Sequence, residues 1–382
     1  MNIGIDITSL IYNRGVSRYT SNLVNALAKY TDANLYLYAS TFRGQDQLKV
    51  ALDKALIGIG EQRAAQIKKQ MVIKKYPPKL QKLFWNLLKI KKVRSDLPQI
   101  DVFHSWDYMQ PPDKDLPIVS TIHDLAILKY PQTAHPDILA AHRKSWQILK
   151  EKNAQIIAVS KSTKQDVVKI LDFPPYQVSV VYEALPQESW VASTSTSEKT
   201  YEAVKNNLKL KRPYILFVGT KEPRKNLPRL IDAWKNLSDD IDLVIVGEKG
   251  WDDEIISRYK GLRFVERVTD EELAIIYNEA SILAYPSLDE GFGLPILEGF
   301  YFSLPVVTSN LSAMKEIAGD AGILVDPFSV ASIKEGLIKA LTLSSKAKKD
   351  LDVQMNARLN QFSWQKTAKQ TLAVYKKAIE YA

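Results

Sequence analysis

Short apolar runs separated by helix-period stretches recur along the whole chain. In the first half, Ile3–Ile7, Leu35–Tyr38, Val102–Ser105, Ile118–Ile122, Ile156–Val159 and Val178–Tyr182 read as buried strands. In the second half the strands are Tyr214–Val218, Leu243–Val246, Arg263–Val265, Ile282–Tyr285, Val306–Val307 and Ile323–Val325. Apolar residues at a 3.6 period predict helices over Ser17–Lys29, Asp137–Lys150, Ser162–Leu171, Leu227–Asn236 and Glu271–Ala280. Continuous apolar strands alternating with helices argue for α/β layers around mostly parallel sheets. The pattern lapses over Leu185–Lys211, where Pro186 and the run Ser193–Ser197, followed by a basic helical patch, predict a linker between two halves. The halves share an architecture but no internal sequence repeat. Ser363 then reads as an N-cap for a last helix over Trp364–Tyr381.

With 382 residues the chain has room for two ordinary domains. The absence of cysteine excludes disulfides, thiol catalysis and Cys-ligated zinc, and fits a reducing cytoplasm. The first apolar run holds Asp6 and follows no basic leader, so it reads as a strand and not a signal peptide. No stretch is long and uncharged enough to span a bilayer. The net charge is +9, yet residues 62–95 carry eleven Lys or Arg and no acid; without those eleven the remainder is −2. The excess therefore belongs to one surface, which argues against a uniformly basic nucleic-acid binder.

Candidate chemistry gathers after predicted strands. Glu290-Gly291-Phe292-Gly293-Leu294 follows the strand ending at Tyr285 and leads into a helix-compatible stretch to Phe302. Unpaired N–H groups and the positive end of the helix dipole suit a phosphate there, and the glycines permit close approach. Glu298 lies two helical turns beyond Glu290, on roughly the same helical face, suited to a ribose diol, with Glu290 suited to sugar hydroxyls. Gly219 ends another strand, and Lys221, Arg224 and Lys225 precede the helix opened by Asn226-Leu227-Pro228. Cations beside a helix start can hold a diphosphate and stabilise its departure. Of four histidines, His104 and His123 fall at predicted strand ends, where α/β sheets gather ligands; His135 and His142 read as loop and helix-surface residues. Their spacing gives no zinc site, and no metal-ligand cluster is apparent.

Taken together, Phe217–Leu227, Leu243–Gly247, Glu290–Glu298, Ala321–Pro327, Arg18-Tyr19, Val102–Ser105 and Thr121–Leu125 resemble the retaining, nucleotide-sugar-dependent glycosyltransferases of family 4. The resemblance covers nearly the whole chain. It implies the GT-B fold: two Rossmann-like domains whose parallel sheets face across a cleft. The boundaries are then 1–187 for an acceptor domain, 188–362 for a nucleotide-sugar domain and 363–382 for a helix crossing back to the first. It implies that Lys225 and Arg224 stabilise the leaving diphosphate without a metal or other cofactor, that Glu298 binds ribose, and that Glu290 positions the sugar. Gly219 and the segment Gly291, Phe292, Gly293 and Leu294 complete the donor site, and Gly15 lets the backbone approach a donor phosphate. His123 faces the transferred sugar, with Asp124 placing it or capping the next segment. The chain departs from the family in having Thr220 where many members have Arg after the glycine, and Arg224 is the candidate substitute. The Glu-Pro-Arg-Lys-Asn form resembles mannosyltransferases of polysaccharide assembly, which makes GDP-mannose the first donor and UDP-glucose or a UDP-N-acetylhexosamine the alternatives. The competing classes are a non-catalytic two-domain sugar-binding protein, which would need a secretion signal, and a glycogen phosphorylase-like enzyme, which shares the GT-B architecture but is far longer and uses pyridoxal phosphate on a lysine.

Within the basic segment, Leu80, Leu83, Phe84, Leu87 and Leu88 form one helical stripe over residues 77–94, with Trp85 beside it and Lys82, Lys89 and Lys92 opposite. Two readings stay open. One is a helix packed on its own domain. The other is an interfacial helix that, with Lys74, Lys75 and Lys91, rests on an anionic membrane from the cytoplasmic side, near a saccharide or lipid-linked acceptor.

Overall fold

The computed structural model describes residues 1–12, 15–133, 135–185, 198–207, 213–220, 222–237, 240–247, 259–266 and 268–381. Two compact units emerge. Met1–Glu183 and Ser363–Ala382 form the first, and Ala184–Phe362 the second.

The first unit is built on seven strands: β1 Asn2–Asp6, β2 Asn34–Ser40, β3 Met71–Lys74, β4 Val102–Ser105, β5 Ile118–Ile122, β6 Gln155–Ala158 and β7 Val178–Val180. They lie in the order β3-β2-β1-β4-β5-β6-β7. The second unit has six: β8 Tyr214–Val218, β9 Asp242–Val246, β10 Leu262–Val265, β11 Ile282–Tyr285, β12 Val306–Ser309 and β13 Ile323–Val325, in the order β10-β9-β8-β11-β12-β13. The pairings are parallel in both sheets, for example Ile5 with His104 and Leu216 with Leu283. Strands β4, β5, β6, β9, β11 and β12 are buried along their whole length, which is why they read as unbroken apolar runs. The strand order reverses between β1 and β4 in one sheet and between β8 and β11 in the other. Those are the switch points outside whose carboxyl ends open α/β sheets take ligands.

The helix Trp364–Glu380 starts at Ser363, whose side chain accepts from Lys366 N. Its Ala368, Val374, Tyr375 and Ala378 enter the same core as Ile3, Leu23 and Leu27. Thr367 Oγ1 also donates to Tyr182 O at 2.7 Å, so the chain's end is bound into the first unit.

The linker over Leu185–Lys211 carries the expected helical patch, Glu198–Asn207, while 186–197 and 208–211 lie outside the described residues. Three expectations need correction. Lys74 is not an exposed, unpaired cation: it ends the edge strand β3, half-buried, with Nζ 2.8 Å from Asp96. The expected long helix over residues 77–94 is only a turn of α-helix, Pro78–Lys82, and a π-helical turn, Leu83–Leu87. Backbone at Lys89 and Lys91 is left-handed (φ 52° and 64°), which a continuing helix cannot accommodate. Trp85 is not beside an exposed stripe but in the core, 1% exposed, packed on Tyr38 and Phe103 and donating Nε1–H to Lys91 O at 2.9 Å. Leu80 and Phe84 are half-buried, whereas Leu83, Leu87, Leu88 and Ile90 are exposed.

Candidate active site

In the second unit, two loops meet at the switch point. After β8 the chain passes Gly219 and Thr220 to a 3-10 turn, Pro223–Lys225, and Asn226 takes a left-handed conformation (φ 62°) before the helix Leu227–Trp234. Asn226 Nδ2 donates to Pro286 O at 2.9 Å and to Pro327 O at 2.6 Å, tying this turn to the loops after β11 and β13. Leu288 N donates to Arg224 O at 2.7 Å, which brings the β11 loop alongside.

Glu290 thereby sits between the two cations. Arg224 Nη1 donates to its Oε2 at 2.7 Å and Lys225 Nζ to its Oε1 at 2.6 Å. Tyr285 OH donates to Oε1 at 2.8 Å and accepts from Lys225 Nζ at 2.7 Å. Burial works against charge on Glu290, but Lys225 and Arg224 overcome it and hold the carboxyl down to about 2. Arg224 Nε donates to Glu222 Oε2 at 2.7 Å, and Glu222 Oε1 accepts from Thr220 Oγ1 at 2.7 Å. Thr220, the departure from the family pattern, therefore supports the carboxylate that orients Arg224. Lys221 lies outside the described residues.

Gly293 precedes the helix Leu294–Tyr301 at φ 98° and ψ 48°, a left-handed conformation that costs glycine little, and Pro295 follows within the first turn. Glu298 is buried one turn into that helix, and its Oε2 accepts from Tyr277 OH at 2.6 Å. Because the helix begins at Leu294, Glu290 is in the preceding loop, so the shared helical face expected for Glu290 and Glu298 does not exist. Phe292 is buried, edge-on to Phe362 at 5.7 Å. Gly291 lies in the turn between Glu290 and Phe292.

In the first unit, Gly15 opens the helix Gly15–Tyr30 after β1, and a Cβ there would meet nothing within 4 Å, so the backbone is open to approach. Asn13 and Arg14 lie outside the described residues. His123 follows β5. Its Nδ1 is 3.0 Å from Glu183 Oε1, and Tyr19 packs edge-on against its ring at 4.7 Å. Burial opposes charge on the imidazole, but the Glu183 carboxylate outweighs it and raises the His123 pKa. Asp124 Oδ1 accepts from Ala126 N, so it caps the next segment. The adjoining cavity, about 30 Å³, is lined by Asp6, Tyr19, His104, Trp106, Thr121 and His123. It admits a hydroxyl but not a hexose ring, and the His123 side chain is 24% exposed.

His104 has a different role from His123. It is buried, with Nδ1 2.7 Å from Tyr375 OH and Nε2 2.9 Å from Thr121 Oγ1, and burial pushes it down to about 3. It is a neutral tie between the sheet and the last helix. His135 caps the helix Pro136–Glu151. His142 is not a helix-surface residue; it is 17% exposed, 3.5 Å from Asp107 and packed beside Trp146.

Residue patterns missed Glu183, Tyr285, Tyr277 and Tyr19, all of which hold a candidate group through a long-range hydrogen bond or ring contact. Of these, Glu183 has a separable consequence. Glu183→Gln keeps a hydrogen-bond partner but removes the charge, so the His123 midpoint should fall while His104 stays neutral. Imidazolium stabilised by Glu183 contributes to folding below the ordinary histidine value near 6.5, and that contribution is lost as pH rises through the raised folded value. Titration of ¹⁵N-histidine resonances, four in this chain, measures the shift; an unmoved His123 midpoint removes Glu183 from this role.

Comparison with known proteins agrees with this geometry. Residues 13–189 match the model for Glycosyltransferase Family 4, and residues 198–359 that for Glycosyl transferases group 1. The O-antigen chain mannosyltransferase B of Escherichia coli is 30% identical over 269 residues, covering 68% of this chain and 70% of that one. A glycosyltransferase from Rickettsia africae ESF-5 has a similar fold, with TM-score 0.71 at 15% identity over 100% of this chain and 99% of that one. So has Alr3699/HepE of Anabaena, solved in complex with UDP and glucose, with TM-score 0.69 at 14% identity over 99% and 100%. Two family models matched in chain order, a 30%-identical relative and the doubly wound GT-B sheets lead to one conclusion: the chain belongs to the family 4-like glycosyltransferases and is a hexosyltransferase.

Proposed function

We propose that the protein transfers mannose from GDP-mannose to a saccharide or lipid-linked acceptor, with retention of anomeric configuration and without a metal ion. The observation that carries this reading is the Arg224–Glu290–Lys225 cluster at the β8/β11 switch point, with Glu298 on the helix that follows. A leaving diphosphate at this point meets two cations already desolvated and oriented. It competes with Glu290 for them, so Glu290 sets how tightly the donor is held as well as its position. Glu298 is the candidate for the ribose, His123 and Glu290 for the sugar. Mannose as the first choice is supported by the name of the E. coli relative; the UDP and glucose bound to Alr3699/HepE keep UDP-glucose as the alternative. A panel of GDP-, UDP- and dTDP-sugars read by release of nucleoside diphosphate tests it. Release should be greatest with GDP-mannose and should persist in excess EDTA, because Arg224 and Lys225 carry the charge a divalent ion otherwise supplies. A loss in EDTA restored by Mn²⁺ or Mg²⁺ contradicts the diphosphate assignment, and greater release with a UDP-sugar favours the alternative donor.

The first unit rests, on this reading, against an anionic membrane. Leu87, Leu88 and Ile90 are exposed by 67%, 51% and 44%, and the exposed Lys89, Lys91 and Lys92 alternate with them. Among the described residues no helix is long and apolar enough to cross a membrane. Each lysine at an anionic surface contributes about 1 kcal/mol. That attraction weakens as the Debye length shrinks from about 10 Å at 0.1 M salt to about 3 Å at 1 M.

A further inference from the structure

Behind the loop that presents those lysines is a cavity of about 910 Å³ within the first unit. Lys89, Lys92, Arg94, Lys114 and Lys152 line it, and none of the five is ion-paired among the described residues. Asp101, Asp115 and Glu151 also line it, leaving an excess of two positive charges. Arg94 Nε–H is enclosed and has no acceptor. Lys152 reaches only the backbone carbonyl of Asp113, and burial pushes its ammonium pKa down. Arg94 and Lys152 are half-buried and their side chains reach only the backbone carbonyls of Ile100 and Asp113, whereas Lys89, Lys92 and Lys114 are exposed around them. Partial burial of the first two without an ion pair is unfavourable, and an entering anion relieves that cost.

The cavity is distinct from the candidate sugar site. Asp101, Pro117 and Asn153 lie just before β4, β5 and β6, whereas His104 and His123 lie at or beyond the carboxyl ends of β4 and β5. It is continuous with an apolar rim. Trp85 lines it from the core and bonds Lys91 O, holding Lys89 and Lys91 left-handed. The same short loop turns Lys89 and Lys92 toward the cavity and leaves Leu87, Leu88 and Ile90 in solvent. Strained backbone of this kind persists only where surrounding structure holds it.

We propose that this cavity receives the phosphate headgroup of an anionic phospholipid, with Leu87, Leu88 and Ile90 entering the acyl layer beside it. A free phosphate uses the cations alone; an amphiphile with an anionic head uses both the cations and the rim. The inference rests on the membrane reading above and adds to it a defined headgroup site.

The test uses the full chain and two probes. Dihexanoylphosphatidylglycerol, kept below its micelle concentration, should bind saturably, and Arg94→Gln/Lys152→Gln should weaken it at least about tenfold, as loss of charged contacts predicts. Lys79→Gln/Lys91→Gln, which removes equal charge outside the cavity, should change it by less than about threefold. On vesicles of phosphatidylglycerol in phosphatidylcholine, both pairs should weaken co-sedimentation, the cavity pair more. Equal weakening by both pairs, with no saturable short-chain binding, overturns the headgroup site and leaves diffuse membrane attraction standing. No vesicle binding by the unaltered chain overturns the membrane reading itself. Inorganic phosphate binding as tightly as the short-chain lipid overturns the lipid assignment in favour of a free anion. If the cavity pair lowers the thermal midpoint, Lys92→Gln/Lys114→Gln replaces it under the same criteria.

Discussion

Lys225→Ala should lower turnover by about 10²-fold or more and weaken nucleoside diphosphate binding, because it removes a preoriented cation from the point where diphosphate charge develops. The stability cost should be smaller than the kinetic cost. Glu290 retains Arg224 on Oε2 and Tyr285 on Oε1 when Lys225 is gone. Glu290→Ala differs, since it leaves the buried Lys225 with Tyr285 OH and no carboxylate, while Arg224 keeps Glu222; loss of one partner of a buried pair costs about 3–5 kcal/mol. The acid limb follows from the same contacts. With its folded value near 2, Glu290 contributes stability above the ordinary carboxylate range near 4.3, and that contribution is lost as pH falls toward 2. Lys225→Ala should move this loss to higher pH. Isothermal titration and turnover assays decide the matter: unchanged affinity and rate in Lys225→Ala would remove the cation from the donor site.

Trp85→Ala should destabilise the first unit by roughly 3–5 kcal/mol, the cost of emptying a large aromatic site in a packed core. Trp85 touches Tyr38 and Phe103 with ring centroids at 5.4 and 6.1 Å and holds Lys91 O, so its removal also frees the lysine loop. Leu87→Ser, two residues along, should change stability by less than about 0.5 kcal/mol because its side chain is in solvent. Unfolding of each variant separates the two positions. Normal stability in Trp85→Ala together with lost vesicle binding would return Trp85 to the lipid surface.

Trp85 also shows why pattern and structure differ over the basic segment. On a helical wheel it borders an apolar stripe, but the wheel holds only for a helix through residues 77–94, and the helical turns stop at Leu87. Local pattern cannot register that one indole finds space between β2 and β4, or that this pulls the chain into a π-helical turn. Strand β3 escaped for a related reason. Met71–Lys74 is an edge strand with every residue half-buried, so it lacks the apolar run that marks its central neighbours.

Near the sites, single residues at strand ends were legible: His123 after β5, Gly219 after β8, Glu290 after β11. Their partners were not. Glu183 meets His123 across 60 residues, Tyr285 meets Lys225 across 60, and Tyr19 meets Thr121 across 102. No periodicity links residues so far apart, and without strand order nothing singles out one tyrosine or glutamate from the rest.

The sequence by itself determined the α/β class, twelve of the strands, the helix Trp364–Glu380 and the loops that carry the candidate donor residues. These follow from short-range physics: side-chain period, helix caps, and glycine where the backbone turns left-handed. Tertiary structure decided which strands are neighbours, and therefore that β1 and β4, and β8 and β11, form the switch points. It also decided that Glu290 is shared by Arg224 and Lys225, and that five lysines and arginines of the first unit line one cavity. Those outcomes depend on burial, where desolvation makes each charge seek a partner from whatever part of the chain packing brings within reach.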